Sequence, residues 1–211
     1  LLSSERIFTK TGGALMSLKE ILAEMHELFP KLVEALELLQ KSHLYTNPKP
    51  LDRVDALAQE VHKREKALTE QLVKAAQEEP RGARYVAVPG HIERIGDYVE
   101  ALSRVLRAKA QEGVLFSDKA MDEINFLFEK AKDILVNTAD LLLAPNLLVA
   151  GYVREAELAL TRSANEFSTL HEERLIEGLC LPKASSLYLD MLDAFKAIAW
   201  HAKEIARKVV E

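Results

Sequence analysis

Apolar residues recur at intervals of three and four along most of this chain. Leu18, Ile21, Met25, Leu28, Leu32, Ala35 and Leu39 form one series, and Ile92, Ile95, Val99, Leu102 and Leu106 a second. Ile124, Leu127, Ala131 and Ile134 form a third, and Met191, Phe195, Ile198, Ala202, Ile205 and Val209 a fourth. That spacing gathers them on one stripe of an α-helix, the stripe a bundle buries. Glycine and proline supply the punctuation. Breaks fall at Pro48 and Pro50, at Pro80 and Gly82, at Gly113 with Ser117-Asp118, at Pro145, and at Gly178 with Pro182. They leave six segments of about 26–31 residues, too long for strands, which run to about ten. The pattern predicts an all-α fold of six long antiparallel helices. Ser117 is the expected N-cap of the fourth. Pro30 and Pro89 fall inside helical segments, and each is expected to kink its helix by removing a backbone donor.

The chain also aligns with itself, without a gap, at an offset of 103 residues. Ile21 meets Ile124, Leu32 meets Leu135, Val33 meets Val136, and Leu38-Leu39 meets Leu141-Leu142. Ala56-Leu57 meets Ala159-Leu160, and Ile95 meets Ile198. Apolar matches arise whenever two bundles are in phase, so more weight rests on Glu70 with Glu173, Tyr85 with Tyr188, and Arg104 with Arg207. The reading is two tandem pseudo-repeated three-helix bundles. The first spans residues 16–113 and the second 114–211, after a leader or linker over 1–15. The break before the third helix is expected to recur before the sixth, with Tyr85 and Tyr188 anchoring those helices.

Composition narrows the function. The net charge is −5, which gives no reason to expect nucleic acid. Cys180 is the only cysteine, so an intrachain disulfide and a multi-cysteine zinc site are both excluded. The longest apolar run, 141–153, is short and interrupted by Pro145, Asn146 and Gly151, so it does not read as a membrane span. No signal-peptide pattern is visible. The chain begins at Leu1, which leaves room for a preceding segment, a membrane domain included. No glycine-rich phosphate loop, nucleophile elbow or HExxH motif occurs, and His171-Glu172-Glu173-Arg174-Leu175 lacks a second histidine. The chain does not read as an enzyme.

Candidate chemistry gathers on the third helix, in His91-Ile92-Glu93-Arg94-Ile95-Gly96-Asp97-Tyr98. Glu93 and Asp97, four apart, lie one above the other, and Glu100 extends the acidic line. Like charges so placed repel by about 0.2–0.5 kcal/mol. A bound cation, or a basic side chain lying across them, offsets that cost. Two carboxylates on one helix are half of an oxygen-rich metal site. They are equally a solvated charged face with Arg94 and Arg104 close by. His91 points to another side of the helix. His26, His43, His171 and His201 lack ligand spacing and read as surface or boundary residues, and Trp200 reads as packing between helices.

The string Glu93-Arg94-Ile95-Gly96-Asp97, together with the duplication, resembles the PhoU family of phosphate-uptake regulators. The resemblance implies two three-helix bundles with acidic E/D-x-x-x-D motifs on their helices. It implies control of phosphate uptake or signalling through contact with a membrane phosphate transporter and a sensor kinase. It places the chain in the cytoplasm, at the inner face of the membrane, and allows a homodimer. It also implies a divalent or iron cation held in the first bundle by Glu93, Asp97, Glu65 and His62. The sequence departs from the family in two places. On the second helix the acidic motif falls on Val61 and Glu65, so only Glu65 is acidic, with His62 three residues before it. In the second half the matching positions hold Ser168, Lys196 and Trp200, which makes a metal there doubtful. Two other classes stand beside this reading. A ferritin-like di-iron protein needs Glu-x-x-His on two helices, and no histidine here has Glu three residues before it. A metal-binding or purely structural helical scaffold outside phosphate regulation remains the alternative.

Overall fold

The computed structural model describes residues 16–211, so the expected leader over 1–15 lies outside the described residues. The chain runs α1 (Leu18–His26), α2 (Leu28–Tyr45), α3 (Leu51–Glu78), a 3-10 turn (Pro80–Tyr85), α4 (Val88–Gln111), α5 (Asp118–Leu143), α6 (Leu147–Ile176) and α7 (Pro182–Val210). No strand occurs among the described residues. The fold is the all-α bundle that the periodicity predicts.

The helix ends follow local chemistry. Ser17 opens α1 with a capping box, its hydroxyl accepting from the Glu20 amide while the Glu20 carboxylate accepts from the Ser17 amide. Ser117 caps α5 as expected, accepting from the Ala120 amide. α4 and α6 each close on a glycine of positive φ, Gly113 at 64° and Gly178 at 73°. In both, the next amide reaches back to a carbonyl five residues earlier, Val114 to Lys109 and Leu179 to Arg174. This is the Schellman arrangement that a side chain at the glycine position would strain.

Pro30 interrupts its helix as expected. It has no N–H to offer the His26 carbonyl, and the helix breaks at Glu27 between α1 and α2. Pro89 does not kink a helix. It sits in the first turn of α4, where the missing N–H would have had no intrahelical partner. The break before the third helix recurs before α7, at residues 177–181, but its 3-10 turn does not. Residues 183–188, the counterparts of Pro80–Tyr85, lie inside α7, so Tyr188 is helical where Tyr85 closes a 3-10 turn.

Helix ends drift, but the buried register does not. At the 103-residue offset Ile21 and Ile124, Leu32 and Leu135, Leu57 and Leu160, Ile95 and Ile198, and Leu102 and Ile205 are all buried pairs. The buried apolar residues form one continuous cluster that includes side chains of both halves. α4 packs on α7 and α2 on α5 across the boundary. α2 and α5 run antiparallel, because Gln40 bonds Asn125 and Glu129 while His43 reaches the Met121 carbonyl.

Two histidines read as surface or boundary residues are core residues. His43 is fully buried, between α2 and the start of α5, and His171 is buried in α6. His171 stacks on Tyr188 and pairs with the Ser185 hydroxyl at 2.8 Å. Beside them Arg174 grips the buried Glu123 carboxylate with two bonds of 2.8 and 3.0 Å, and the Tyr188 hydroxyl donates to the same carboxylate. Burial, and then the Glu123 carboxylate, raise the Tyr188 phenol above its ordinary pKa. Trp200, expected to pack between helices, is 44% exposed.

Burial draws His43 down to about 4 and lowers His171. An unfolded histidine titrates near 6.5, so between about pH 6.5 and 4 the unfolded chain binds protons that the folded chain refuses. Stability is therefore full above about pH 6.5 and is lost as the pH falls. The urea midpoint should be lower at pH 5 than at pH 7, and His43→Gln should flatten that difference. Equal midpoints at the two pH values, or an undiminished drop in the variant, would contradict this account.

Candidate functional site

α3 and α4 cross closely where Val61 meets Gly96. A Cβ built on Gly96 would lie 3.6 Å from Val61 Cγ1, an ordinary contact. In the second half the same two positions hold Ala164 and Ala199, so the methyl group missing from one partner is present on the other. This crossing brings His62 of α3 against the acidic line of α4. His62 Nδ1 lies 3.7 Å from Glu93, and Nε2 lies 3.4 Å from Asp97 and 3.6 Å from Glu100. Arg94 donates to Asp97 at 3.1 Å, and Arg104 stands 3.8 Å from Glu100. Glu65, one turn beyond His62, accepts a hydrogen bond from the Thr69 hydroxyl at 2.6 Å and forms no ion pair among the described residues. Of the four residues singled out, the fold gathers His62, Glu93 and Asp97, and it adds Glu100.

These side chains form a charge cluster. Both imidazole nitrogens face carboxylates, so the ring occupies the space between the acids. Among the described residues no three His, Cys, Asp or Glu side chains are gathered as a metal would need. As placed, the residues do not make a ligand shell. The His62 ring itself lies across the repelling acids.

The second half carries the opposite charge at the same place. His62, Glu93, Asp97 and Glu100 correspond to Asn165, Lys196, Trp200 and Lys203. Lys196 reaches Asn165 at 3.4 Å and Asp193 at 2.8 Å, and Lys203 lies over the Trp200 ring. One frame thus presents an acidic face on α4 and a basic, tryptophan-bearing face on α7.

Between these faces His91 of α4 meets His201 of α7, with Nδ1 to Nδ1 at 2.9 Å. One ring supplies the proton and the other accepts it, so the accepting ring is neutral. Burial is the main cause that lowers both, His201 to about 4 with help from His91 and Arg94. The contact ties the two halves together. Its sequence signal is weak, because the two residues sit on different helices at no repeat-related spacing.

No family model matches the sequence, and no curated protein matches it. The fold does have a solved counterpart. It is similar to the crystal structure of PhoU from Pseudomonas aeruginosa, with a TM-score of 0.77. The match covers 92% of this chain and 93% of that one at 17% sequence identity. A likeness at that identity establishes the fold. The chain has a PhoU-like fold, and among the described residues no helix is long and apolar enough to cross a membrane.

The partners in the His62 cluster are between a quarter and two-fifths exposed, which screens them. A double-mutant cycle of His62→Ala and Asp97→Asn, read by urea unfolding, should give a coupling energy below ~1 kcal/mol. A coupling of several kcal/mol would mean that the cluster holds α3 to α4, and would reverse this assignment.

Proposed function

We propose that the chain is a non-catalytic regulator of phosphate uptake that works by contact with a membrane phosphate transporter at the cytoplasmic face, with a sensor kinase as a second partner. The observation that carries the reading is the likeness to a PhoU structure over nearly the whole of both chains. The Glu93-Arg94-Ile95-Gly96-Asp97 string on α4 supports it independently. The absence of turnover belongs to the same reading. A serine–histidine contact exists, Ser185 with His171 at 2.8 Å. Among the described residues no acid orients the other ring nitrogen and none partners it, and the neighbouring cavity of about 130 Å3 is lined by His171 and not by Ser185. Deleting the gene should change phosphate uptake or phosphate-responsive expression, measured in replete and starved cells. Unchanged uptake and expression in both conditions would favour the alternative of a helical scaffold outside phosphate regulation.

A cation in the first half is a second reading, favoured by the approach of His62 to Glu93 and Asp97 across the helix pair. A divalent or iron cation there would take Glu93 and Asp97 with His62, and Glu65 from the next turn of α3. His62 would first have to give up at least one of its carboxylate contacts. Metal analysis of the purified protein beside Asp97→Ala tests this. Metal present in the parent and reduced in the variant supports the site, whereas equal content in both removes it.

A further inference from the structure

A groove of about 340 Å3 runs between α2 and α5 and shares no residue with the His62 cluster. Phe29, Val33, Val136 and Ala139 form its floor, and Val136 is 49% exposed. Glu37 on α2 and Asp140 on α5 stand at its walls. The repeat organises this groove. Val136 is Val33 displaced by 103 residues, and Asp140 is Glu37 displaced by the same interval. Each half therefore contributes one valine to the middle and one carboxylate to an end. Because α2 and α5 are antiparallel, the two carboxylates lie at opposite ends of the groove. Asp140 sits towards the α1 end, with His26, and Glu37 lies eleven residues along the chain from His26, a rise of ~16 Å on a helix.

Two of the charges here are uncompensated among the described residues. Glu37 and Asp140 have no ion-pair partner among the described residues. A third lining acid, Glu34, is held by Arg53 at 3.1 Å. His26, the one other titratable lining residue, faces Glu27 at 3.5 Å. Lys132, one turn from Val136, is engaged by Gln40 and Glu129. The pattern from end to end is acid, apolar, acid. Its complement is a segment with a cation, an apolar pair and a second cation. On a helix those residues fall at i, i+4 with i+7, and i+11, which spans the same ~16 Å along one face.

We propose that the groove between α2 and α5 is a docking site for a basic amphipathic helix of a partner protein. Two leucine-like side chains enter over Val33 and Val136, and flanking Lys or Arg residues pair with Glu37 and Asp140. Helix-in-groove binding of this kind takes its affinity from the apolar anchors and its selectivity from the charges. The inference deepens the partner-contact reading above and rests on it only for the process that the partner serves.

The test uses the full chain and a labelled alanine-based helical peptide, read by fluorescence anisotropy. The peptide carries Leu at i+4 and i+7 between Lys at i and i+11, and a control carries Glu in place of both Lys. The Lys peptide should bind, more weakly as salt rises, and the Glu peptide should not. Glu37→Lys combined with Asp140→Lys should weaken binding of the Lys peptide by about tenfold or more. Both positions are exposed, so the double variant should fold, which circular dichroism checks. Equal binding of the two peptides, no binding of either, or undiminished binding by the double variant would overturn the proposal. A dimer in sedimentation that Val136→Glu dissociates would overturn it as well, by assigning the groove to a second copy of the chain. Peptide binding alongside unaltered phosphate uptake in the deletion strain would leave the groove standing and remove only the phosphate reading.

Discussion

Each helix of this chain has one apolar stripe, and three helices alone do not bury all of it. That constraint fixes the architecture. Within the first half α3 covers parts of α2 and α4, yet both still present side chains such as Phe29 and Val99 that end fully buried. Each such residue stabilises the fold by roughly 1.5–3 kcal/mol only once water is excluded. The second half is built on the same repeat and leaves a deficit on the corresponding helices, although Phe29 and Val99 themselves correspond to Lys132 and Ala202. The two deficits are removed together when the halves meet face to face, α4 on α7 and α2 on α5. Such a contact is isologous in the way a twofold dimer interface is, with one chain standing in for two subunits.

Once the frame is set by burial, variation is free where burial is not at stake. At the α3–α4 crossing the repeat trades a Gly96–Val61 contact for an Ala199–Ala164 contact, a net loss of one side-chain carbon. On the exposed side of the same helices the charges reverse, from His62, Glu93 and Asp97 to Asn165, Lys196 and Trp200. Glu20 and Glu123 share one repeat position with two fates. The first closes a capping box in solvent, and the second is buried and held by Arg174 and Tyr188. A buried carboxylate is tolerated there because two Arg174 bonds and a phenol compensate it, whereas removing one partner would leave it stranded.

The elements legible in the sequence are those whose cause is local. Helical phase, the Ser117 cap, the interruption at Pro30 and the Gly113 and Gly178 stops all depend on neighbours within a few residues. Pro89 misleads because proline breaks a helix in its interior but suits its first turn, and the sequence does not say which turn that is. His43 and His171 mislead because imidazole is polar by type, while their burial is decided by distant Phe116, Phe128 and Tyr188. In the candidate site, spacing along one helix correctly groups Glu93 and Asp97. Which α3 side chain faces them depends on the crossing at Gly96, and it is His62 that lies across both acids.

The groove between α2 and α5 follows from the same logic. Where two copies of a repeat meet about a pseudo-twofold axis, any exposed feature near that axis appears twice and faces itself. An apolar residue at that place becomes an apolar pair, as Val33 and Val136 do, and a carboxylate becomes two carboxylates at opposite ends. Those two carboxylates make the exposed face around the axis acidic. A second copy of the same acidic face would add repulsion, so the electrostatics disfavour self-association there and favour a cationic visitor. The duplication that satisfies the core therefore also leaves, at its axis, a surface whose charge pattern selects its partner.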